Sequence, residues 1–268
     1  MKSVCIGDMK LEVPIIQGGM GVGISLGNLA GHVAKNGGMG VISTAHPGYR
    51  AEDFEKNPTE VNKRELAKEI QKAKEIAKGK GMVAINAMVA ITDYAQMVEV
   101  AIKNKIDAII SGAGLPMNLP GFVKGTKVKI APIVSSGKAA RLICKTWDRR
   151  YHVAPDFVII EGSEAGGHLG FHKEDVLNKT TAKLADIFKE VKETLQPFVE
   201  KYQKEIPIFV AGGVYDADDI KQFMDLGADG VQMATRFICT EECDADIKYK
   251  EAFINAKKKK TLRSLNHQ

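Results

Sequence analysis

The segment most suggestive of chemistry is residues 161–172, Glu-Gly-Ser-Glu-Ala-Gly-Gly-His-Leu-Gly-Phe-His. His168 stands among glycines, so little local packing would hold its ring inside a core. Histidine titrates near neutral pH and can accept or donate a proton during turnover. We predict that His168 is catalytic, with His172 as the weaker candidate and a structural or surface role as the alternative. A metal site on this pair would need an i, i+4 helix, which the glycines disfavour, so no metal is predicted.

Glycines gather at five places, each directly after a short apolar run. These places are residues 18–21, 112–114, 162, 166–167 and 212–213. Glycine lets backbone N–H groups approach a ligand closely, and several such loops at one rim would suit a flat ligand that carries a phosphate. None of them matches a Walker loop or the spaced dinucleotide fingerprint. A single glycine pair is more often a tight turn or a helix cap, but the shared position after strands favours a ligand site.

The loops after the last two predicted strands have the composition of a phosphate site. Barrels commonly hold phosphate after their seventh and eighth strands, and backbone N–H groups supply the contacts. Arg236 offers a positive charge there, with a salt bridge on the rim as the alternative role. The predicted cradle consists of Gly212, Gly213, Ala234 and Thr235.

The elements that would position these loops alternate regularly. Short runs, nearly all apolar, predict parallel strands covered on both faces. Amphipathic helical spacing lies between them, for example at 60–78, 182–203 and 216–226. Eight such units in one chain predict the α/β class and a closed (β/α)8 TIM barrel, with an open doubly wound sheet as the alternative. The predicted strands are 13–17, 40–43, 82–86, 108–111, 129–134, 157–161, 208–211 and 230–233.

The composition of the 268 residues is that of an ordinary globular protein, with 44% hydrophobic and 26% charged residues. No apolar run approaches the roughly 20 residues of a membrane span, and the N-terminus lacks the apolar core of a signal peptide. Cys239 and Cys243 are a weak metal signal without further ligands nearby. We therefore expect a cytoplasmic protein with a small-molecule substrate and no membrane or nucleic-acid partner.

Several segments together resemble the nitronate monooxygenase family, formerly called 2-nitropropane dioxygenases, which includes the flavin-dependent enoyl-acyl-carrier-protein reductases. They occur in the family's order across most of the predicted barrel. The segments are Pro-Ile-Ile-Gln-Gly-Gly-Met at 14–20, Gly-Gly-Met-Gly-Val-Ile at 37–42, Glu-Gly-Ser-Glu-Ala-Gly-Gly-His at 161–168, Val-Ala-Gly-Gly-Val at 210–214 and Gly-Val-Gln-Met-Ala-Thr-Arg-Phe at 230–237.

The resemblance implies an FMN site on the loops just described and assigns the catalytic histidine to His168. It places the first-strand loop and the turn before His168 beside the flavin ring, and the last two loops around the phosphate. The implied cofactor-binding residues are Gln17, Gly18, Gly19, Met20, Asn86, Ser111, Gly112, Gly166, Gly167, Gly212, Gly213, Gln232, Ala234 and Thr235.

The activity that the resemblance implies is oxidation of a nitronate, with FMN and O2, to a carbonyl compound and nitrite. The reductase branch has the same loops and histidine, so an NAD(P)H-dependent enoyl-thioester reductase is the main alternative. A flavin binder with little activity and a non-flavin phosphate-binding barrel also remain open. Relatives often pair, so a homodimer is a further alternative to a monomer.

The end of the chain departs from the family pattern. Residues 257–268 hold five basic residues and no acid, which accounts for the whole formal net charge of +5. Family members continue with a segment that covers the flavin, and that segment is not recognisable here. We divide the chain into an FMN-binding barrel, 1–240, and a C-terminal helix with a basic tail, 241–268. We expect the tail to be a frameshifted or truncated end, with a divergent tail as the alternative.

Overall fold

The structure of the protein is a computed structural model that describes residues 1–167 and 169–256. Its strands are β1 Val4–Ile6, β2 Met9–Leu11, β3 Ile15–Gln17, β4 Met39–Ser43, β5 Met82–Met88, β6 Ala108–Gly112, β7 Lys129–Val134, β8 Val158–Glu161, β9 Ile208–Ala211 and β10 Gly230–Met233. Its helices are α1 Gly27–Lys35, α2 Pro58–Ala77, α3 Tyr94–Lys103, α4 Leu119–Val123, α5 Gly137–Tyr151, α6 Lys173–Asn178, α7 Leu184–Tyr202, α8 Ala217–Leu226, α9 Thr235–Ile238 and α10 Ile247–Asn255. Strands β3 to β10 are parallel and close into a barrel, because β10 pairs with β3. The predicted TIM barrel is therefore confirmed.

The barrel strands lie where the apolar runs predicted them. Strands β7, β9 and β10 have the predicted limits, and the others differ by one or two residues at an end. The first barrel strand begins only at Ile15, because the preceding Pro14 has no N–H to donate. The carbonyl of Pro14 still accepts a hydrogen bond from Val231 N at 3.1 Å, which joins the two ends of the barrel sequence.

Side chains alternate between the lumen of the barrel and the layer beneath the helices. Ile16, Val41 and Phe209 belong to the fully buried cluster inside the lumen. Ile42 and Ile160, one residue away from inward positions, belong to the cluster shared with the helices. Each such side chain contributes roughly 1.5–3 kcal/mol through burial. This period of two also decides which residues face the lumen at the strand ends.

An N-terminal hairpin closes one end of the barrel, and the sequence reading did not predict it. Strands β1 and β2 pair antiparallel, and their residues Ile6 and Leu11 are fully buried in the lumen cluster. Asp8 in the turn forms an ion pair of 2.5 Å with Lys129, at the start of β7. The hairpin therefore lies at the amino ends of the barrel strands and leaves the carboxyl ends as the opening.

The helices begin and end at residues suited to those positions. Asn57 precedes α2 and its side chain accepts from Glu60 N, while Pro58 occupies the first helical turn. Asp216 and Asp219 form a reciprocal capping box at the start of α8. No helix in the described ranges combines the length and apolarity needed to cross a bilayer.

Helix α1 receives its cap from the other end of the chain. Leu26 precedes the helix and has no capping side chain. The carboxylate of Asp244 accepts from Leu26 N at 2.9 Å and from Leu29 N at 3.1 Å. Arg50 donates to the backbone carbonyl of Asp244 at 2.9 Å. The segment that follows α9 is thus bound to the first helix of the barrel.

Replacing Asp244 with Ala is expected to lower the free energy of unfolding by about 2 kcal/mol, because several N–H groups of α1 lose their acceptor. Urea unfolding followed by circular dichroism measures the loss. Asp246→Ala is the matched control, since Asp246 caps only the exposed helix α10 through Lys248 N. A loss equal to that of the control would contradict the structural role given to Asp244.

Candidate functional site

The carboxyl ends of the eight barrel strands form an open mouth, opposite the N-terminal hairpin. Residues that pair between neighbouring strands lie at the same height in the barrel, so the strand register shows which side chains lie together in this mouth. Ser43 pairs with Asn86, and Glu161 pairs with Ala211, which pairs in turn with Gln232. Inward-facing Ala211 belongs to the lumen cluster, so its row partners Glu161 and Gln232 also face inward. The mouth is therefore lined by polar groups above an apolar lumen.

The loop after β3 lies against residues from two other strands. Gly18 N donates to Met233 O at 2.8 Å, and a Cβ on Gly18 would lie 3.2 Å from the side chain of Gln232. A Cβ on Gly19 would lie 2.5 Å from the Cβ of Asn86. Only glycine permits this approach. The structure thus brings four of the predicted site residues, Gly18, Gly19, Asn86 and Gln232, to one side of the mouth.

Met20 lies half-buried in the same loop, and Ser25 fixes its backbone. Met20 N donates to Ser25 Oγ at 2.7 Å, and Ser25 N donates back to Met20 O at 3.0 Å. The Ser25 side chain is fully buried. This reciprocal pair holds the first-strand loop in one shape at the rim.

Two of the predicted site side chains, Gln17 and Ser111, are fully buried and already have protein partners. Gln17 Oε1 accepts from Val41 N at 3.1 Å, across the seam between β3 and β4. Ser111 Oγ donates to Ala87 O at 3.1 Å and lies 2.9 Å from the Tyr94 hydroxyl. These side chains tie neighbouring strands together. Contact with a ligand through them stays a prediction.

The glycines at the end of β6 and after β8 also lie at the rim. Gly112 follows inward-facing Ile110 by two residues, and a Cβ on it would lie 3.0 Å from Ile133. A Cβ on Gly166 or Gly167 would meet no atom of residues 1–167 or 169–256 within 4 Å. Packing within the described chain therefore gives no reason for glycine at Gly166, and contact of this residue with a ligand stays a prediction.

The predicted phosphate loops lie side by side at the ends of β9 and β10. Gly212 and Gly213 have φ of +96° and +75°, a conformation that favours glycine. Ala234 precedes the short helix α9, and Thr235 is exposed as its first residue. The carboxylate of Glu164 lies next to Gly213, which places the loop after β8 against this cradle.

Arg236 stands beside the cradle and stacks on an aromatic ring. Its guanidinium carbon lies 5.1 Å from the centre of the Tyr215 ring. Tyr215 follows the Gly212–Gly213 turn, and both side chains are exposed. Among the described residues Arg236 has no carboxylate partner within ion-pair distance. Its charge is thus held at the mouth by a cation–π contact.

Glu161 is a functional candidate that the sequence reading did not select. It is the last residue of β8, faces the lumen, and is half-buried. Burial raises the pKa of its carboxyl from 4.5 to about 7. The signal that could have found it is the period of two, which puts position 161 on the same face as buried Phe157 and Ile159. A charged residue at that point of an apolar strand departs from the pattern.

Gln232 carries an unpaired polar atom. Its Oε1 is the one buried side-chain oxygen or nitrogen without a hydrogen-bond partner within residues 1–167 and 169–256. Leaving such an acceptor unsatisfied costs roughly 1–3 kcal/mol. A ligand with an N–H or O–H donor that enters the mouth would satisfy it. The residues present therefore fit a flat heterocycle carrying a phosphate.

The predicted catalytic residue His168 lies outside the described residues. The neighbouring loop is described on both sides of it, and Gly167 and Gly170 are exposed at the mouth. A Cβ on Gly170 would lie 2.6 Å from Ser135 Oγ, at the end of β7. His172 is exposed and precedes α6 without capping it. Where the structure describes the chain, no three His, Cys, Asp or Glu side chains are grouped to hold a metal ion.

The fold is a TIM barrel, and enzymes with this fold have their active sites at the carboxyl ends of the strands. The family profile for nitronate monooxygenase matches residues 2–265. The chain belongs to this family of oxidoreductases.

The chain also resembles individual members of the family. It is 37% identical over 107 residues to a probable nitronate monooxygenase of Staphylococcus saprophyticus, a match that covers 40% of this chain and 28% of that protein. The structure of FabK from Thermotoga maritima is similar with a TM-score of 0.68 and 27% identity, over 92% of this chain and 65% of that one. A nitroalkane oxidase from Streptomyces ansochromogenes has the same fold, with a TM-score of 0.69 and 20% identity over 90% of this chain and 70% of that one. The aligned part of the Staphylococcus relative is thus under a third of its length.

Glu161→Gln is expected to stabilise the apoprotein selectively at high pH. The raised pKa of Glu161 means that the folded state keeps a proton that the unfolded state loses between pH 4.5 and about 7. Stability from this group is therefore complete below pH 4.5 and is lost as the pH rises through 7, by about 3 kcal/mol. Urea unfolding at pH 5 and pH 8 measures the difference. The variant should lose less stability than the wild type between these values, and equal losses would contradict the buried carboxyl.

Proposed function

We propose that this protein binds FMN in the barrel mouth and oxidises nitronates, with O2, to a carbonyl compound and nitrite. The observation that carries the proposal is the meeting of glycine-lined loops at one rim around the unpaired Oε1 of Gln232. Family membership supports the reaction class. The nitronate as substrate, O2 as oxidant and FMN as cofactor are the parts of this function that we infer.

The phosphate end of FMN would bind where the loops after β9 and β10 meet. Gly212 and Gly213 present backbone N–H groups in a left-handed turn, and such turns form concave sites for anions. Arg236 adds a positive charge whose position the Tyr215 ring stabilises. Together these groups favour a dianionic phosphate over a neutral alcohol at this end.

The ring end would bind across the mouth between the loops after β3 and β8. Gly18 and Gly19 let the ring approach the backbone, and the open space at Gly166 leaves room on the other side. Gln232 Oε1 would accept a hydrogen bond from a ring N–H and would then no longer lack a partner. Asn86 beside Gly19 offers a further amide at the same level.

Bound FMN would supply the electron acceptor that the oxidation requires. The protein would hold the nitronate over the mouth and control protons there. His168, whose assignment comes from the sequence, would orient the nitronate or remove the proton of a neutral nitroalkane.

One alternative function has a specific observation in its favour. FabK of Thermotoga maritima is similar over 92% of this chain. The enoyl-acyl-carrier-protein reductase branch of the family would take hydride from NADH or NADPH and reduce an enoyl thioester at the same site. The two proposals share the cofactor and differ in the compound that reduces it.

Anaerobic mixing separates the two functions. The purified protein, reconstituted with FMN, should lose its flavin absorbance when a nitronate is added and should regain it when O2 is admitted. Nitrite should appear in proportion. Bleaching by NADH or NADPH, and none by the nitronate, would instead support the reductase. A protein that binds no FMN would contradict both.

His168→Ala is expected to retain FMN and to lose turnover. Removal of a general acid or base typically costs about 10²–10⁴-fold in rate, whereas the phosphate and ring contacts come from other residues. Flavin fluorescence titration and nitrite formation measure the two effects. His172→Ala is the control, because His172 is exposed at the start of α6. Unchanged turnover in the His168 variant would remove that residue from the mechanism.

A further inference from the structure

Glu161 lies in the barrel mouth without a polar partner in the described part of the chain. Its carboxyl takes part in no side-chain hydrogen bond or ion pair there, although it is half-buried. The neighbouring row position on β9 is Ala211, whose methyl group cannot donate or accept. The next position in that row is Gln232, which carries the unpaired oxygen.

The row from Glu161 to Gln232 spans two strand spacings, or roughly 10 Å. The side chain of Ala211 between them is a single methyl group, which reaches less far than its two neighbours. A ligand held there would face a carboxyl on one side and an amide acceptor on the other. The pyrimidine edge of an isoalloxazine presents carbonyl oxygens on both sides of an N–H. Gln232 suits the N–H, and a neutral carboxyl suits a carbonyl oxygen, because it can donate.

We propose that Glu161 binds the flavin ring in its neutral form by donating a hydrogen bond, and that loss of its proton weakens flavin binding. This inference rests on the proposed flavin function. An ionised Glu161 would have no donor and would set a negative charge against ring carbonyl oxygens. Glu161 is thus a ligand-binding residue that makes cofactor affinity depend on pH.

Burial, rather than a neighbouring charge, controls the protonation of Glu161. On the β7 side Val134 pairs with Ile160, so the uncharged Ser135 comes next to Glu161, and Ala211 on β9 carries no charge. The titratable groups on the loop that follows Glu161 are Glu164, which is exposed beside Gly213, His172, which is exposed, and His168, outside the described residues. Burial is the cause that raises the pKa of Glu161 to about 7. The burial of Glu161 in this site therefore makes its carboxyl titrate near neutral pH.

FMN titration of the apoprotein at pH 6 and pH 8.5, read by quenching of flavin fluorescence, tests the inference. If only the neutral form binds, wild-type affinity should fall about 30-fold more between these pH values than that of Glu161→Gln. Glutamine keeps a neutral donor at position 161, so the variant should match the wild type at pH 6. Titration of the FMN phosphate is common to both proteins and cancels in the comparison.

Glu174→Gln is the matched control, since Glu174 is an exposed carboxylate in the first turn of α6 and takes no part in the proposed FMN site. It should keep the wild-type pH dependence. If Glu161→Gln keeps that dependence as well, Glu161 does not control binding and the inference is wrong. If none of the three proteins binds FMN at either pH, the proposed function is wrong, and the inference that depends on it is wrong as well.

Discussion

Pairing of the last barrel strand with the first is the interaction on which the site depends. Strand β10 pairs with β3 through Val231 with Ile15 and Gln232 with Ile16, and Gly18 N donates to Met233 O beyond the end of β3. This closure brings segments from opposite ends of the chain into contact. It also leaves no unpaired strand edge in the barrel. The loop after β3 and the side chain of Gln232 can form one surface only because of it.

Closure and the period of two together decide the chemistry of the mouth. A position that follows inward-facing apolar residues at a spacing of two, such as 161 after Phe157 and Ile159, faces the mouth whatever its residue type. Glu161 and Gln232 are polar residues at such positions, and both have a cost in the fold without a ligand. Burial disfavours the charged form of Glu161, and Gln232 leaves an acceptor unpaired. Groups that destabilise a fold are expected where a ligand compensates for them.

Segments near the two ends of the chain reinforce the barrel, one at the amino ends of the strands and one beside the rim. The N-terminal hairpin fills the amino ends of the strands with Ile6 and Leu11. Asp244, after the last barrel strand, caps α1. Each contact joins residues that are far apart in sequence. The lumen is thereby closed at one end, so that a ligand approaches the inward-facing polar groups from the other.

The sequence by itself determined the strand–helix order, the barrel, and the set of glycine loops at the strand ends. Apolar runs of strand length and glycines after them are local signals, so strands such as β7, β9 and β10 could be predicted to the residue. Only the tertiary structure decided which polar side chains face the mouth and which have partners. Gln17 is bonded to Val41, whereas Gln232 has an unpaired oxygen, and nothing in either local sequence separates them. The cap of α1 by Asp244 and the burial of Glu161 likewise depend on contacts between distant segments, because a local pattern carries no information about a partner elsewhere in the chain.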